Sequence, residues 1–298
     1  MALNARTIWI LMQRVATSWI DDYAPSMGAA LAFYTMFSLA PLLLIVISVA
    51  GLVFGQEAAR GEIAAQLQSL MGDSAASAVQ GLLASVQQPA KGTVATMIGL
   101  VLLVVGATSV FGELQNSLDR IWRAPVRSKM VGWLTLVRSR LLSFGMIMAI
   151  GFLLIVSLVS SAGLAAMGRW WDGALGGGWV VLALTINTAI DFLLAAVLFA
   201  LIYKIMPRVH VQWRDVWIGA IFTALLFTIG KFLIGLYLGR SGVTSGFGAA
   251  GSLVVVLLWV YYSAQIFLLG AEFTWVYANA FGSRRVTGGH NDPLAAGP

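Results

Sequence analysis

Six stretches of this chain are apolar enough and long enough to cross a lipid bilayer: residues 27–54, 93–112, 141–164, 179–203, 216–238 and 252–277. A helix rises about 1.5 Å per residue, so about 20 residues cross a hydrocarbon core of about 30 Å. Inside that core no water is present to satisfy backbone N–H and C=O groups, so runs of this kind are obliged to be helical. The composition agrees, with 59% hydrophobic and 10% charged residues among 298. An average soluble domain is about 45–50% apolar and about 25% charged. An ordinary soluble enzyme is therefore excluded, and so is a disordered chain, which needs low hydrophobicity. The expected fold is an all-α integral membrane protein of six transmembrane helices.

The basic residues orient the bundle. Of the 18 Lys and Arg residues, thirteen fall on one side: Arg6 and Arg14; Arg120, Arg123, Arg127, Lys129, Arg138 and Arg140; Lys204, Arg208 and Arg214; Arg284 and Arg285. Arg60, Lys91, Arg169 and Arg240 fall on the other, and Lys231 lies within a span. Cytoplasmic loops carry the Lys/Arg excess, which places both termini in the cytoplasm. The net charge of +6 is then topology plus contact with anionic lipid headgroups at the basic loop 113–140, rather than a nucleic-acid footprint.

The remaining segments have simple readings. Residues 1–26 form an amphipathic cytoplasmic helix on the inner surface, with Ile8, Leu11, Met12, Val15 and Trp19 at helical spacing. Arg14 interrupts the apolar run, so this is not read as a signal peptide. Between spans one and two, Ile63, Leu67 and Leu70 mark one short helix and Val79, Leu82, Leu83 and Val86 another. Gly72 breaks between them, which predicts an outer helical hairpin. Pro41 is a candidate kink in span one. The membrane domain covers 27–281, and the Gly- and Pro-containing stretch 282–298 reads as a flexible cytoplasmic tail.

Three segments together resemble the YihY/BrkB family of bacterial inner-membrane proteins, once labelled ribonuclease BN-like. They are Ala30-Leu31-Ala32-Phe33-Tyr34-Thr35-Met36-Phe37-Ser38-Leu39-Ala40-Pro41, then Glu113-Leu114-Gln115-Asn116-Ser117-Leu118-Asp119-Arg120-Ile121-Trp122, and a run through span six ending in Gly270-Ala271-Glu272. The resemblance spans about residues 6–281. It implies a multi-pass protein of the inner membrane, with links to serum resistance, envelope lipids and transport. One departure is visible: Phe273-Thr274 stands where the family usually has Leu or Phe followed by Asn. The nuclease label finds no support in the residues. A metal-dependent nuclease needs His, Asp and Glu clustered around its ions, and the two histidines, His210 and His290, lie in no ligand-spaced motif. With no cysteine, thiol chemistry and cysteine-held metals are excluded, and no cofactor, metal or catalytic residue is expected.

Ionisable residues within the spans are the candidate functional groups, because a charge near the bilayer centre costs about 2.5–3.5 kcal/mol even on the lenient insertion scale. Asp191 lies mid-way along span four with Asn187 and Thr188 one turn before it, and Lys231 lies in span five. These four are candidates for a central substrate or proton site; a structural ion pair or a snorkelling lysine is the alternative. In span six, Tyr261, Gln265, Leu268, Glu272 and Trp275 share a face. Glu113 and Glu272, with Gln265 and the loop residues Arg120 and Arg123, are candidates for an inner gate; interface carboxylates capped by arginines are the alternative. Gly92, Gly99, Gly106, Gly219 and Gly230 mark faces of close helix approach. Gly246-Phe247-Gly248-Ala249-Ala250-Gly251 spells a dinucleotide fingerprint, but it follows no strand and is rejected as one. The functional expectation is secondary or passive transport of a small polar or amphiphilic, lipid-related solute. A non-transporting lipid-binding or scaffolding protein is the competing class.

Overall fold

The structure is a computed structural model that describes residues 5–87, 109–125, 178–240 and 250–285. Most of span two, all of span three, Gly92, Gly99, Gly106, the basic residues Arg127, Lys129, Arg138 and Arg140, and His290 lie outside the described residues. Among the described residues every regular element is a helix. We number them α1 (Ala5–Asp21), α2 (Ala24–Phe54), α3 (Gln56–Gln87), α4 (109–121), α5 (Gly178–Ile205), α6 (Trp213–Arg240) and α7 (Gly251–Ala280). Three of them contain segments long and apolar enough to cross a membrane: Leu184–Ile205, Trp213–Leu238 and Gly251–Ala280.

The chain divides into two compact units. One comprises Met1–Val15, Leu118–Leu225 and Gly270–Pro298, and the other Ala16–Ser117 and Leu226–Leu269. In the second unit, α1 gives way to α2 at Tyr23, which holds a left-handed conformation (φ 59°). Proline in the first turn of α2 suits that start, because its fixed φ is helical and its missing N–H would be unbonded there anyway. The helix then continues through Pro41 to Gly55, whose φ of 86° ends it while its N–H still reaches the Gly51 carbonyl at 3.0 Å. The next helix, α3, is bent at Gly72 (φ 76°, ψ 169°), a conformation open almost solely to glycine. The break anticipated from the sequence is thus at that glycine. Beyond it, Ala75, Ala78, Val79 and Leu83 line one buried stripe, and Met71 and Ile47 of α2 join them in a core with Ile234, Leu238, Val255 and Val256. Alanines in that stripe let the backbones approach closely.

In the first unit Leu11 and Val15 form the buried side of α1, one turn apart, while Ile8 and Trp9 remain exposed. α6 has an uncovered apolar stripe along its whole length: Trp213, Trp217, Ile221, Leu225, Ile229 and Leu233 follow one another at four-residue spacing and are all exposed. A soluble helix would bury such a stripe; in a membrane protein lipid covers it.

Candidate functional site

The polar and basic groups of the first unit gather at the connection from α5 to α6. α5 ends with Lys204 in its last turn, where a cation complements the helix dipole. Pro207, which lacks an N–H, follows two residues after Ile205 and is buried. Residues 206–212 then form a loop clamped from two sides. Asp119, in the last turn of α4, accepts the Arg208 backbone N–H at 2.7 Å and pairs with its guanidinium at 3.2 Å. Lys204 donates to the Val211 carbonyl and lies over the Trp213 ring at 5.4 Å. Burial pushes the Asp119 carboxyl above its usual range, against the opposing pull of the Arg208 amide and guanidinium.

Two further arginines lie on tryptophan faces. Arg123 stands 4.6 Å over the ring of Trp275, and Arg284 stands 5.1 Å over that of Trp122 while donating to the His210 carbonyl at 3.1 Å. Asp215, in the first turn of α6, is 1% exposed. One of its oxygens accepts both the Ser283 N–H at 3.2 Å and the Ser283 hydroxyl at 2.5 Å. The chain directly after α7 is anchored in a turn at 281–285, and residues 286–298, the greater part of the expected tail, lie outside the described residues.

Deeper in the same unit a hydroxyl pair joins α5 to α6, and hydroxyls bonded within their own helices pack where α6 meets α7. The Tyr203 and Thr223 hydroxyls are 3.0 Å apart and buried, Thr223 donates to the Gly219 carbonyl at 2.7 Å, and Thr274 donates to the Gly270 carbonyl at 2.6 Å. A methyl group on Gly219 would run into Thr274, and one on Gly270 into Thr223 and Tyr203. The close approach expected at Gly219 is present, and so is that at Gly230, where a methyl would lie 2.5 Å from Ile266. Phe273 stacks on Phe222 at 3.9 Å.

The residues singled out from sequence take the following positions. Glu272 is 0% exposed in the first unit, one turn before Trp275 on α7. Arg123 is the loop arginine placed on that Trp275, and Arg120 is exposed. Asp191 and Asn187 are half-buried on α5. Thr188 is exposed and donates to the Leu184 carbonyl of its own helix at 2.8 Å. Lys231, Glu113 and Gln265 belong to the second unit, all half-buried. Gln265 reaches the Ala24 carbonyl at a long 3.5 Å, in a contact that only a glycine at position 28 admits.

A family model described as Virulence factor BrkB matches residues 15–295. The chain belongs to the BrkB family. Its similar curated relatives include UPF0761 membrane proteins of Verminephrobacter eiseniae (30% identical over 85% of this chain and 58% of the relative), Pseudomonas aeruginosa (29%, over 86% and 60%) and Ralstonia nicotianae (32%, over 84% and 55%). The chain thus spans somewhat over half the length of the curated relatives it matches. No solved structure matches it. With three apolar helices and relatives named as membrane proteins, this BrkB-family chain is a membrane protein.

The clamp and the hydroxyl contacts went unassigned in the sequence of this BrkB-family chain. Asp119 and Trp122 lie inside one of the motifs that carried the family resemblance, which was the one available hint. Tyr203, Thr223 and Thr274 are uncharged members of apolar runs and give no signal to a search for intramembrane charge.

Proposed function

We propose that this membrane protein has six spans with both termini in the cytoplasm of a bacterium, α1 lying on the inner surface, and that it moves a small polar or amphiphilic, lipid-related solute across the inner membrane. Transport would be secondary or passive, and no enzymatic step is assigned. The observation that carries the reading is Glu272. It is fully buried on a membrane-crossing helix, eight residues or about 12 Å of helix from the end of α7. An ionisable group at such a depth is a functional-site hypothesis by default. Arg123, which lies on the Trp275 ring one turn along α7, is assigned with Glu272 to an inner gate, and Glu113, Gln265 and Arg120 are its further candidates. Asp191, Lys231, Asn187 and Thr188 remain the candidates for the central site. The basic excess at residues 204–214 and 284–285 supports the orientation.

The competing reading, a scaffold that binds lipid without moving a solute, is favoured by the tight crossing of Gly219, Thr223, Gly270 and Thr274, which has the packing of a closed interface.

Orientation and transport are tested separately. Because the chain has no cysteine, single-cysteine variants His210→Cys and Gly61→Cys report sidedness directly, and only the first should be shielded from an impermeant label in intact cells. For transport, the purified protein in zwitterionic detergent is screened by thermal stability against small ions and amphiphiles. A ligand that raises the melting temperature of wild type by mass action, but not that of Glu272→Gln, Asp191→Asn or Lys231→Gln, supports the reading. No selective ligand, with the variants simply less stable, overturns it in favour of the scaffold.

A further inference from the structure

We infer that the start of α6 is a binding site for one anionic phospholipid of the cytoplasmic leaflet, its phosphate held between Lys204 and Arg214 and an acyl chain lying along Trp217, Ile221 and Leu225. This rests on the cytoplasmic placement of the α5–α6 connection proposed above, not on transport.

At the headgroup end one cation is held in place and a second is exposed at the start of α6. Lys204 is held against the Val211 carbonyl and the Trp213 face, which occupies one of its three donor hydrogens and leaves two. Arg214 is the next residue after Trp213 and is exposed. Trp217 is four positions from Trp213 and three from Arg214, so on the helix surface it neighbours both Arg214 and the tryptophan that carries Lys204. The acidic groups of this end are turned elsewhere. Asp119 is engaged by Arg208, and Asp215 is buried and accepts from Ser283. What faces outward is net positive, the charge that a phosphodiester complements.

The apolar end fits a lipid chain in length as well as in character. Trp213, Trp217, Ile221 and Leu225 are 48%, 38%, 49% and 50% exposed and stand at four-residue spacing. From the first to the last is about 18 Å at the helical rise, close to one leaflet of a hydrocarbon core about 30 Å thick. The two exposed tryptophans lie at its headgroup end, where amphipathic rings sit in membrane proteins.

The test is lipid binding to the full chain in detergent, read by native mass spectrometry with phosphatidylglycerol and phosphatidylcholine. Wild type should retain phosphatidylglycerol over phosphatidylcholine. Lys204→Gln and Arg214→Gln should each weaken phosphatidylglycerol roughly fivefold, the effect of one cation near an anionic headgroup. Arg240→Gln, at the opposite end of the same helix, should change nothing. Arg214→Gln carries the test if Lys204→Gln disturbs the loop, because Arg214 is exposed and its loss leaves the loop clamp in place. Ile221→Asn should shorten retention without removing the preference for the anionic headgroup. Equal retention of both lipids, Arg214→Gln binding like wild type, or loss equal to that in Arg240→Gln would each overturn the assignment. Competition by soluble glycerol phosphate as strong as by the lipid would assign the cations to a free phosphate instead and overturn the lipid site.

Discussion

Replacing Gly270 by alanine should destabilise this protein, although alanine is the better helix former. At an uncrowded helical position the exchange is favourable by about 1 kcal/mol. At Gly270 the new methyl would collide with the Thr223 hydroxyl and lie 2.7 Å from the Tyr203 hydroxyl and 2.8 Å from the Thr223 Cβ. Carbon atoms pack at about 3.5–4.0 Å, so α6 must retreat by roughly 1 Å or Thr223 must turn. Turning is opposed twice. Thr223 is β-branched and stiff at χ1, and its hydroxyl is bonded to the Gly219 carbonyl and to Tyr203. Overpacking of this kind costs about 1–3 kcal/mol, and losing an interhelical hydrogen bond in a membrane bundle costs about 0.6 kcal/mol on average. Set against the propensity gain, the net loss is about 0.5–2.5 kcal/mol.

Unfolding of the purified protein in mixed detergent micelles measures it. Gly81→Ala is the control, because a methyl there meets nothing within 4 Å and should leave stability unchanged or raise it. Thr223→Ala in the Gly270→Ala background removes the collision with the hydroxyl but leaves the 2.8 Å approach to Cβ, so it should recover part of the loss. Tyr203→Phe should lower stability by about 0.6 kcal/mol in wild type and by less once Gly270→Ala has already parted the helices. Gly270→Ala as stable as wild type, with Gly81→Ala behaving as stated, would refute the picture of a tight α5–α6–α7 crossing.

Gly72→Ala should cost about 1–3 kcal/mol through backbone strain alone, since φ is 76° there while the nearest atom to an added methyl, the Gly235 Cα, is at an ordinary 3.6 Å; a loss confined to Gly72 and absent at Gly81 separates strain from packing. Ser283→Ala should remove one hydrogen bond to a buried carboxylate, about 1.5–3 kcal/mol, and Asp215→Ala combined with it should add far less than its own single effect, as a double-mutant cycle in thermal unfolding would read. Asp119 supplies a pH dependence. Its native carboxyl titrates above the usual 3.8, chiefly through burial, so folding favours its neutral form; that support is complete below the usual value and is lost as pH rises through the raised native one. Wild-type stability should therefore fall with rising acidic pH more than that of Asp119→Asn, and equal slopes would show that the Arg208 pair outweighs burial.

The elements legible in the sequence are those written in a repeating physical pattern. Four of the six apolar stretches coincide with the helices α2, α5, α6 and α7 to within three residues at each end, and three of those helices hold segments long and apolar enough to cross a membrane, because an uninterrupted apolar run leaves the backbone no other partner than itself. The bend of α3 was legible for a different local reason, a glycine between two apolar periodicities. The Asp119–Arg208 clamp joins positions 89 apart and the Asp215–Ser283 contact positions 68 apart. Neither leaves a spacing to find, and which acid meets which base depends on how the helix ends converge.

Charge was the guide to candidate residues in the sequence, and it singles out Glu272 while passing over the uncharged hydroxyls of α6 and α7. Thr223 and Thr274 bond back to carbonyls four residues earlier in their own helices, which lets a hydroxyl enter an apolar run with its donor satisfied. Hydropathy therefore does not register them, yet they decide where α6 and α7 touch. Thr274 is also the position where this chain departs from the pattern its family resemblance led one to expect, and it faces Gly219, the residue that only a bare backbone can occupy. An asparagine there would have to place a longer amide against the same glycine. The departure and the glycine thus belong to one contact, and Thr274→Asn should cost stability unless α6 moves outward to receive it. If Thr274→Asn unfolds as wild type does, the crossing at Gly219 is loose and the closed-interface argument for a scaffold loses its footing.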